Sequence, residues 1–264
     1  MNKVKIVSGW SNRGGSTTAF INLTNALNDN GIDCVFYGPH NWHLDKCKGG
    51  LLDKCAVAPC DTLIVHFLTP RERPDASQVI LSCHEKNLYE VSNIPPFWDE
   101  VVFINKKQQQ YHKGYKGKYT IIPNLKEQLK ANNKPNKNIA GIIGSIDENK
   151  QTHISIQRAI KDNRTKIYLF GTINDPNYYS NYVKPLLSDT VIHYGYTEDK
   201  QKIYDMVDCV YLSSLSECAS LVKDECHTTN TKFYGNNATE NDSEVLENEI
   251  ILNKWKNLFK FDCQ

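Results

Sequence analysis

The sequence lacks several features that would assign it to a class of protein at once. It has no apolar run long enough to span a membrane, and its first ten residues, MNKVKIVSGW, lack the apolar core of a signal peptide. It also lacks an excess of charge of either sign, since 31 Lys and Arg residues against 30 Asp and Glu residues give a net charge of +1. A balanced charge provides no overall field that would select nucleic acid or an anionic membrane. We therefore expect a globular cytoplasmic protein.

Motifs for metal binding are missing as well. The chain has no Asp-x-Asp pair and no Cys-x-x-Cys pair. Its nine cysteines are scattered, and several lie inside apolar runs, so we expect reduced, buried thiols. The alternative is a zinc site in one cluster, and the spacing argues against it; the cluster is His40, His43, Cys47, Cys55 and Cys60. We predict no metal and no cofactor.

The sequence does contain a repeated alternation of short apolar runs and amphipathic stretches. This alternation is typical of a parallel α/β sheet, and 264 residues suffice for two modest domains. The predicted strands are 4–8, 34–38, 61–66, 79–84, 101–105 and 119–124 in the first half, and 139–144, 166–171, 190–195 and 209–212 in the second. Three helices are predicted. One covers 16–28, one follows Lys150 and ends at about 161, and one runs from about 242 to 259.

Polar and glycine-bearing loops follow several of these strands. Gly14 and Gly15 follow the first strand, and Gly144, Ser145 and Lys150 follow the first strand of the second half. Such loops bring backbone close to a phosphate or sugar at the beginning of a helix, although a tight turn without a ligand is the alternative. Two further strands each end on a histidine, at positions 66 and 84, where ligand-facing residues of parallel sheets occur.

The stretch from Asp205 to Cys226 carries two carboxylates. A buried strand is followed by a polar loop, and we predict that a helix begins near Glu217. Glu225 lies eight residues further, which is close to two whole turns. Both carboxylates are therefore expected on one helix face, near the carboxyl end of a parallel strand.

The strand, Ser214-x-x-Glu217 and a second acid at Glu225 resemble the signature of family 4 retaining glycosyltransferases. The Gly14-Gly15 loop and the Gly144–Lys150 turn stand in the same order along the chain as in that family. The resemblance implies the GT-B fold, with two Rossmann-like domains, a shortened second domain and a C-terminal helix packing back on the first domain. The expected boundaries are a first domain over 1–125, a linker over 126–137, a second domain over 138–241 and the crossover helix over 242–264.

The resemblance also implies roles for individual residues. Glu217 would lie beside the transferred sugar, Glu225 would hold the ribose hydroxyls, and Lys150 would bind the donor diphosphate. Ser145 stands where the family has an arginine, so one phosphate-binding charge is missing. The catalytic residues implied are Glu217, His84 and Lys150, and the donor-binding residues are Gly15, Gly144, Ser145, Lys150, Tyr196, Glu217, Cys218, Ala219, Ser220, Leu221 and Glu225.

The function implied is transfer of a sugar from a UDP- or GDP-sugar to an acceptor such as a glycan or glycolipid, with retention and without a metal. Three alternatives stay open: a non-catalytic module that binds sugar nucleotides or carbohydrates, a sugar-nucleotide epimerase, and a DNA-modifying glucosyltransferase. Balanced charge argues against DNA. The lysine-rich stretch from Lys106 to Lys137 fits a solvated face and linker better than a surface for an anionic acceptor or for peripheral membrane contact.

Overall fold

The structure, a computed structural model, describes residues 3–10, 14–55, 60–84, 94–131, 137–239 and 246–260. These residues form two compact units. The first unit contains the described residues up to Lys126 together with 246–260, and the second contains those from Glu127 to 239.

The first unit is built on a parallel sheet of seven strands in the order β3-β2-β1-β4-β5-β6-β7. Helix α1 (Gly15–Asp29) connects β1 to β2, and the short helix α2 (Lys106–Tyr111) connects β6 to β7. The strands are β1 (Lys3–Ser8), β2 (Asp33–Gly38), β3 (Gly49–Leu51), β4 (Thr62–His66), β5 (Gln78–Cys83), β6 (Glu100–Phe103) and β7 (Tyr119–Ile121).

Burial explains why these runs form central strands. Every residue of β5 and β6 is buried, as expected for parallel strands covered on both faces. Along α1, Phe20, Leu23 and Leu27 recur at helical spacing and pack into one core with Ile6 and Phe36. Each such side chain stabilises the unit by about 1.5–3 kcal/mol through burial.

The second unit is built on a parallel sheet of five strands in the order β10-β9-β8-β11-β12. Its strands are β8 (Ile139–Ile143), β9 (Lys166–Phe170), β10 (Val191–Gly195), β11 (Cys209–Tyr211) and β12 (Lys232–Tyr234). Its helices are α3 (Thr152–Lys161), α4 (Pro176–Tyr178), α5 (Lys200–Met206) and α6 (Leu221–Thr228), and a π-helical turn over Tyr179–Val183 continues α4.

The C-terminal helix α7 (Asn248–Leu258) packs on the first unit. Its buried side chains Ile251, Leu252 and Trp255 join the core that contains α1, and Gln78 Nε2 donates a hydrogen bond to the carbonyl of Leu258 at 2.9 Å. The predicted fold class is confirmed, with two Rossmann-like units, a short second sheet and a returning terminal helix. The predicted beginning of this helix at 242 was too early, because residues 246 and 247 are not helical and 242–245 lie outside the described residues.

Other predicted bounds need correction. Strands β3 and β12 lie in stretches for which the sequence predicts no strand, and β7 ends at Ile121 rather than at Asn124. From the predicted linker, Lys130 N donates to Gln201 Oε1 at 2.8 Å within the second unit, and 132–136 lie outside the described residues. Within the part of the chain that the structure describes, no helix is both long and apolar enough to cross a membrane.

Candidate functional site

The strand order of the second sheet reverses at β8. Strands β9 and β10 lie on one side of β8, and β11 and β12 lie on the other. Ligands of open parallel sheets bind beside the carboxyl ends of the strands at such a switch point, because the connections leave a crevice there. Lys150 lies beyond the end of β8, and Glu217 lies beyond the end of β11. The topology therefore places two predicted site residues at the same crevice.

The two side chains contact each other directly. Lys150 Nζ donates to Glu217 Oε1 at 2.5 Å, and Ser214 Oγ donates to the same oxygen at 2.6 Å. The lysine side chain keeps 26% of its surface exposed and the glutamate side chain keeps 10%. Because the ammonium is partly exposed, an anionic ligand can bind it, either together with Glu217 or in place of Glu217.

Hydrogen bonds fix the loops that carry this ion pair. Asp147 accepts from Ser145 Oγ at 2.6 Å and from the backbone N–H of Lys150 at 2.9 Å. The backbone N–H of Leu215 donates to the carbonyl of Asn149 at 2.8 Å, which joins the loop after β8 to the loop after β11. These hydrogen bonds fix the two loops, so the position of the charged pair does not depend on the attraction between Lys150 and Glu217 alone.

Helix α6 begins later than predicted. It begins at Leu221, and Ser220 is its N-cap, accepting from the backbone N–H of Lys223 at 3.3 Å. Serine is a preferred N-cap, so the sequence favours a helix that begins here. Glu217 lies four residues before the helix, and the half-buried Cys218 and Ala219 connect them. The prediction that Glu217 and Glu225 share one helix face was therefore wrong.

Glu225 is buried in a charged network of its own. Its Oε1 accepts from Lys200 Nζ at 2.5 Å and its Oε2 accepts from the hydroxyl of Tyr204 at 2.7 Å. Lys200 also contacts Glu127 at 3.2 Å. Burial lowers the pKa of Lys200, but the charges of the two glutamates outweigh it and the pKa is raised. Burial first, and then the charge of Glu225, raises the pKa of Tyr204.

Glycine residues allow the ends of the neighbouring strands to approach closely. Gly171 follows β9, and a Cβ added there would lie 1.8 Å from the carbonyl oxygen of Gly144. Gly171 N donates to the carbonyl of Gly195 at 3.0 Å. Gly195 ends β10 at the edge of the sheet, and the predicted base-binding residue Tyr196 follows it with 44% of its surface exposed. The structure thus places Tyr196 two strands away from β8.

The first sheet has a switch point too, between β1 and β4. Ser8 ends β1 and His66 ends β4, and Ser8 Oγ lies 2.8 Å from His66 Nδ1. The ring of His84, just beyond β5, lies 5.0 Å from the ring of His66 and 4.8 Å from that of Phe20. Two histidines that the sequence placed at strand ends are therefore neighbours. Gly15 is the first residue of α1, the helix that follows β1 in the chain.

Sequence reasoning missed three residues that form hydrogen bonds with the polar side chains at these strand ends and on α6. Lys200 and Tyr204 contact Glu225 from α5, and Ser8 contacts His66 from β1. A signal for α5 was present, since Lys200 and Tyr204 are four residues apart and so face one side of a helix. No spacing in the sequence links them to Glu225 on a different helix.

The cluster between His40 and Cys60 is explained by packing. His43 is buried, its Nε2 lies 3.1 Å from the carbonyl of Gly50, and its ring packs 4.7 Å from that of Phe36. Burial raises the pKa of Cys47 to about 12 and that of Cys60 to about 11, which disfavours thiolate ligands. Among the residues that the structure describes, no three His, Cys, Asp or Glu side chains lie close enough together to hold a metal ion.

No protein-family model matches the sequence, and no curated protein matches it. Solved structures do match. HepE of Anabaena in complex with UDP and glucose has a TM-score of 0.68 at 13% identity, over 90% of this chain and 82% of that one. WaaG, a glycosyltransferase involved in lipopolysaccharide biosynthesis, has a TM-score of 0.67 at 10% identity, over 96% and 90%. Sucrose-phosphate synthase from Thermosynechococcus elongatus has a TM-score of 0.69 at 13% identity, over 90% and 82%.

These neighbours are glycosyltransferases with the GT-B fold. At identities of 10–13% the likeness concerns the fold, and it covers both units of this chain. The sequence resemblance is therefore confirmed at the level of fold: the chain has the two-domain GT-B fold.

Proposed function

We propose that the protein is a glycosyltransferase that moves a sugar from a uridine diphosphate sugar to an acceptor hydroxyl. The observation that carries this proposal is the Lys150–Glu217 pair at the switch point of the second sheet. A cation and a carboxylate at that position match the two needs of a nucleotide sugar, a charge for the diphosphate and an acceptor for sugar hydroxyls. HepE, a structural neighbour that was solved in complex with UDP and glucose, supports the choice of nucleotide.

The proposed reaction breaks the bond between the sugar C1 and the diphosphate oxygen, which takes the electron pair. The acceptor hydroxyl oxygen forms the new bond to C1, and its proton passes to the departing diphosphate oxygen. Negative charge grows on the leaving diphosphate, so a group that binds it more strongly in the transition state accelerates the reaction. Lys150 supplies that charge, and the dipole of α6 adds a partial positive charge at the beginning of this helix.

Glu217 then has two tasks in this proposal. Before the donor binds, it neutralises Lys150 and keeps the ammonium in place. When the diphosphate takes over the ammonium, the carboxylate becomes an acceptor for sugar hydroxyls. The roles that the resemblance implies for His84, Gly15, Tyr196 and Glu225 stay predictions.

Two finer parts of the proposal are retention at the anomeric carbon and a reaction without a metal. The resemblance of the Glu217 stretch to a retaining family supports retention. A reaction without a metal is supported by Lys150, whose ammonium can stabilise the negative charge of the leaving diphosphate. The anomeric configuration of donor and product, measured by NMR, tests retention. Loss of transfer with a chelator and recovery with manganese would contradict the second part.

A second candidate is a non-catalytic binder of sugar nucleotides. The turn from Gly144 to Gln151 carries one cation, and Ser145, in the place of the family's arginine, donates its hydroxyl to Asp147. A single cation that already has a carboxylate partner binds a diphosphate less strongly than an arginine and lysine together.

One experiment separates these two functions. Binding of UDP and UDP-glucose is measured by calorimetry, and hydrolysis or transfer of the sugar is followed by release of UDP. We expect Lys150→Ala to lower the rate more than it lowers donor affinity, and Lys150→Arg to retain part of both. Lys161→Ala, an exposed lysine at the end of α3, is the matched control. Binding that depends on Lys150 without any UDP release would favour the non-catalytic binder, and binding that ignores Lys150 would contradict both.

A further inference from the structure

The second unit contains a cavity that the proposed function does not use. Its volume is about 410 Å³, which lies within the range of small-molecule sites. It lies between the beginning of α3 and the segment formed by α4 and the following π-helical turn. The lining residues are Glu148, Gln151, His153, Asp175, Asn177, Tyr178, Asn181 and Tyr182. None of them belongs to the predicted donor-binding set.

Three aromatic rings form one wall of this cavity. The ring of His153 lies 5.6 Å from that of Tyr178 and 5.3 Å from that of Tyr182, and the two tyrosine rings are 5.4 Å apart. Tyr178 is 5% exposed, and its hydroxyl lies 2.6 Å from His153 Nδ1, so these two side chains are fixed. Tyr182 is 54% exposed and packs against them. An exposed aromatic face with a rigid support suits the apolar C–H face of a sugar ring.

The remaining lining groups are planar and polar. Glu148 and Asp175 provide carboxylates, while Gln151, Asn177 and Asn181 provide amides. A carboxylate accepts from two neighbouring hydroxyls, and an amide both donates and accepts, which is the combination that vicinal hydroxyls require. Asp175 is held in place because its Oδ1 accepts from the backbone N–H of Tyr178 at 2.9 Å.

The charge of the cavity restricts its ligand. The two carboxylates are negative, and the cavity is lined by no lysine or arginine among the described residues. Burial lowers the pKa of His153, so its ring is neutral at neutral pH and does not offset them. An anionic ligand such as a phosphate or an acidic sugar is therefore disfavoured.

We propose that this cavity is a second carbohydrate site, which binds a neutral glycan by stacking on Tyr182 and by hydrogen bonds to Glu148 and Asp175. The site acts without a nucleotide and does not rest on the proposed transfer reaction. The loop after β8 contributes Lys150 to the donor site and Glu148 and Gln151 to this one, so the two sites share a structural element. A glycan held here is tethered to the protein while other parts of the same chain remain available.

The test is binding of neutral trisaccharides in the absence of nucleotide, by saturation-transfer NMR and calorimetry. The probes are maltotriose, cellotriose, chitotriose and xylotriose, with tetramethylammonium as a cationic probe. We expect at least one trisaccharide to bind, and Tyr182→Ala to weaken it about tenfold. Glu148→Gln should weaken it as well without disturbing the fold, because Glu148 is exposed. Tyr119→Ala, another exposed tyrosine, is the matched control and should bind like the wild type.

Several results would overturn the proposal. One is no binding by any of the four trisaccharides at millimolar concentration, and another is equal binding by Tyr182→Ala and wild type. Binding that Lys150→Ala abolishes and Tyr182→Ala leaves intact would assign the sugar to the donor site instead. Binding of tetramethylammonium without any sugar would make the cavity a cation site. Loss of transfer in Lys150→Ala with trisaccharide binding retained is the expected result for two separate sites.

Discussion

Replacement of Glu225 by alanine tests the buried network of the second unit. The carboxylate accepts from Lys200 through one oxygen and from Tyr204 through the other, and its side chain is 5% exposed. Alanine leaves the phenol without this acceptor and leaves the ammonium with Glu127, whose side chain is 39% exposed. The variant therefore removes the better of two partners from a largely buried cation.

The magnitude follows from these contacts. Removing one partner from a fully buried ion pair costs about 3–5 kcal/mol, and removing one hydrogen bond from the buried hydroxyl of Tyr204, which also contacts Cys226, costs about 0.5–1.5 kcal/mol. These two costs arise from the loss of one side chain, so they do not add in full. The cost is also reduced because Lys200 keeps its contact with Glu127 and its side chain is 24% exposed to solvent. We expect Glu225→Ala to lower the free energy of unfolding by about 3 kcal/mol. Glu225→Gln keeps the volume and one acceptor, so we expect about half of that loss.

The assay is urea denaturation at pH 7, with the slope of the transition checked for constancy. His227→Ala is the control, because His227 is exposed on the same helix and should change stability by less than about 0.5 kcal/mol. If Glu225→Ala unfolds like this control, the network does not stabilise the unit and the reasoning is refuted.

The same variants separate a structural role for Glu225 from contact with ribose. If Glu225 contacts the ribose, Glu225→Gln should weaken binding of UDP more than binding of its 2′,3′-dideoxy analogue, by roughly 1.5–3 kcal/mol. Equal losses for both nucleotides would mean that Glu225 acts through Lys200 and Tyr204 alone.

Three further outcomes are expected. Ser145→Arg should tighten UDP binding about tenfold in calorimetry at low salt, because a second cation would reach the diphosphate, and unchanged affinity would move the diphosphate away from this turn. Gly171→Ala should cost about 3 kcal/mol or more in urea denaturation, since its Cβ would lie 1.8 Å from a backbone oxygen, whereas Gly31→Ala, with open space around a φ of +77°, should cost about 1–2 kcal/mol. Stability should fall as pH rises above about 10, because the raised pKa values of Tyr204 and Lys200 make the unfolded chain release these protons first; urea titrations should show a smaller fall for Tyr204→Phe, and an unchanged fall would contradict this origin.

The long, strongly apolar elements of the fold were predictable from the sequence. Strands β5 and β6 contain the apolar runs 79–81 and 101–103, and α1 repeats its apolar residues at helical spacing, so local pattern and final structure agree. The missed strands β3 and β12 have three residues each, and β3 contains two glycines. A strand this short has no measurable periodicity, and its pairing with β2 or β11 is decided by the rest of the sheet.

The candidate site was predictable only in part, for a related reason. Lys150 and Glu217 were named from the motifs around them, but 67 positions separate them, and no local pattern reports that they touch. Parallel topology brings them together, because it places the carboxyl ends of β8 and β11 side by side. The sequence does contain a signal for the late beginning of α6, because serine is a preferred N-cap and Ser220 occupies that position; the prediction used the helical spacing of apolar residues from Glu217 instead.

Both units have a switch point in their sheet, so topology alone does not tell which unit binds the donor, whereas the charge of the side chains at each switch point does. Each sheet brings two polar side chains together where its strand order reverses, Ser8 with His66 in the first unit and Lys150 with Glu217 in the second. The first pair forms a hydrogen bond between a hydroxyl and an imidazole, which suits a ligand that carries hydroxyl groups. The second pair contains a cation that is partly exposed and can be shared with an anion. Since a diphosphate needs that cation, the second unit is the one in which we propose donor binding, and Lys150→Ala is the variant that decides it.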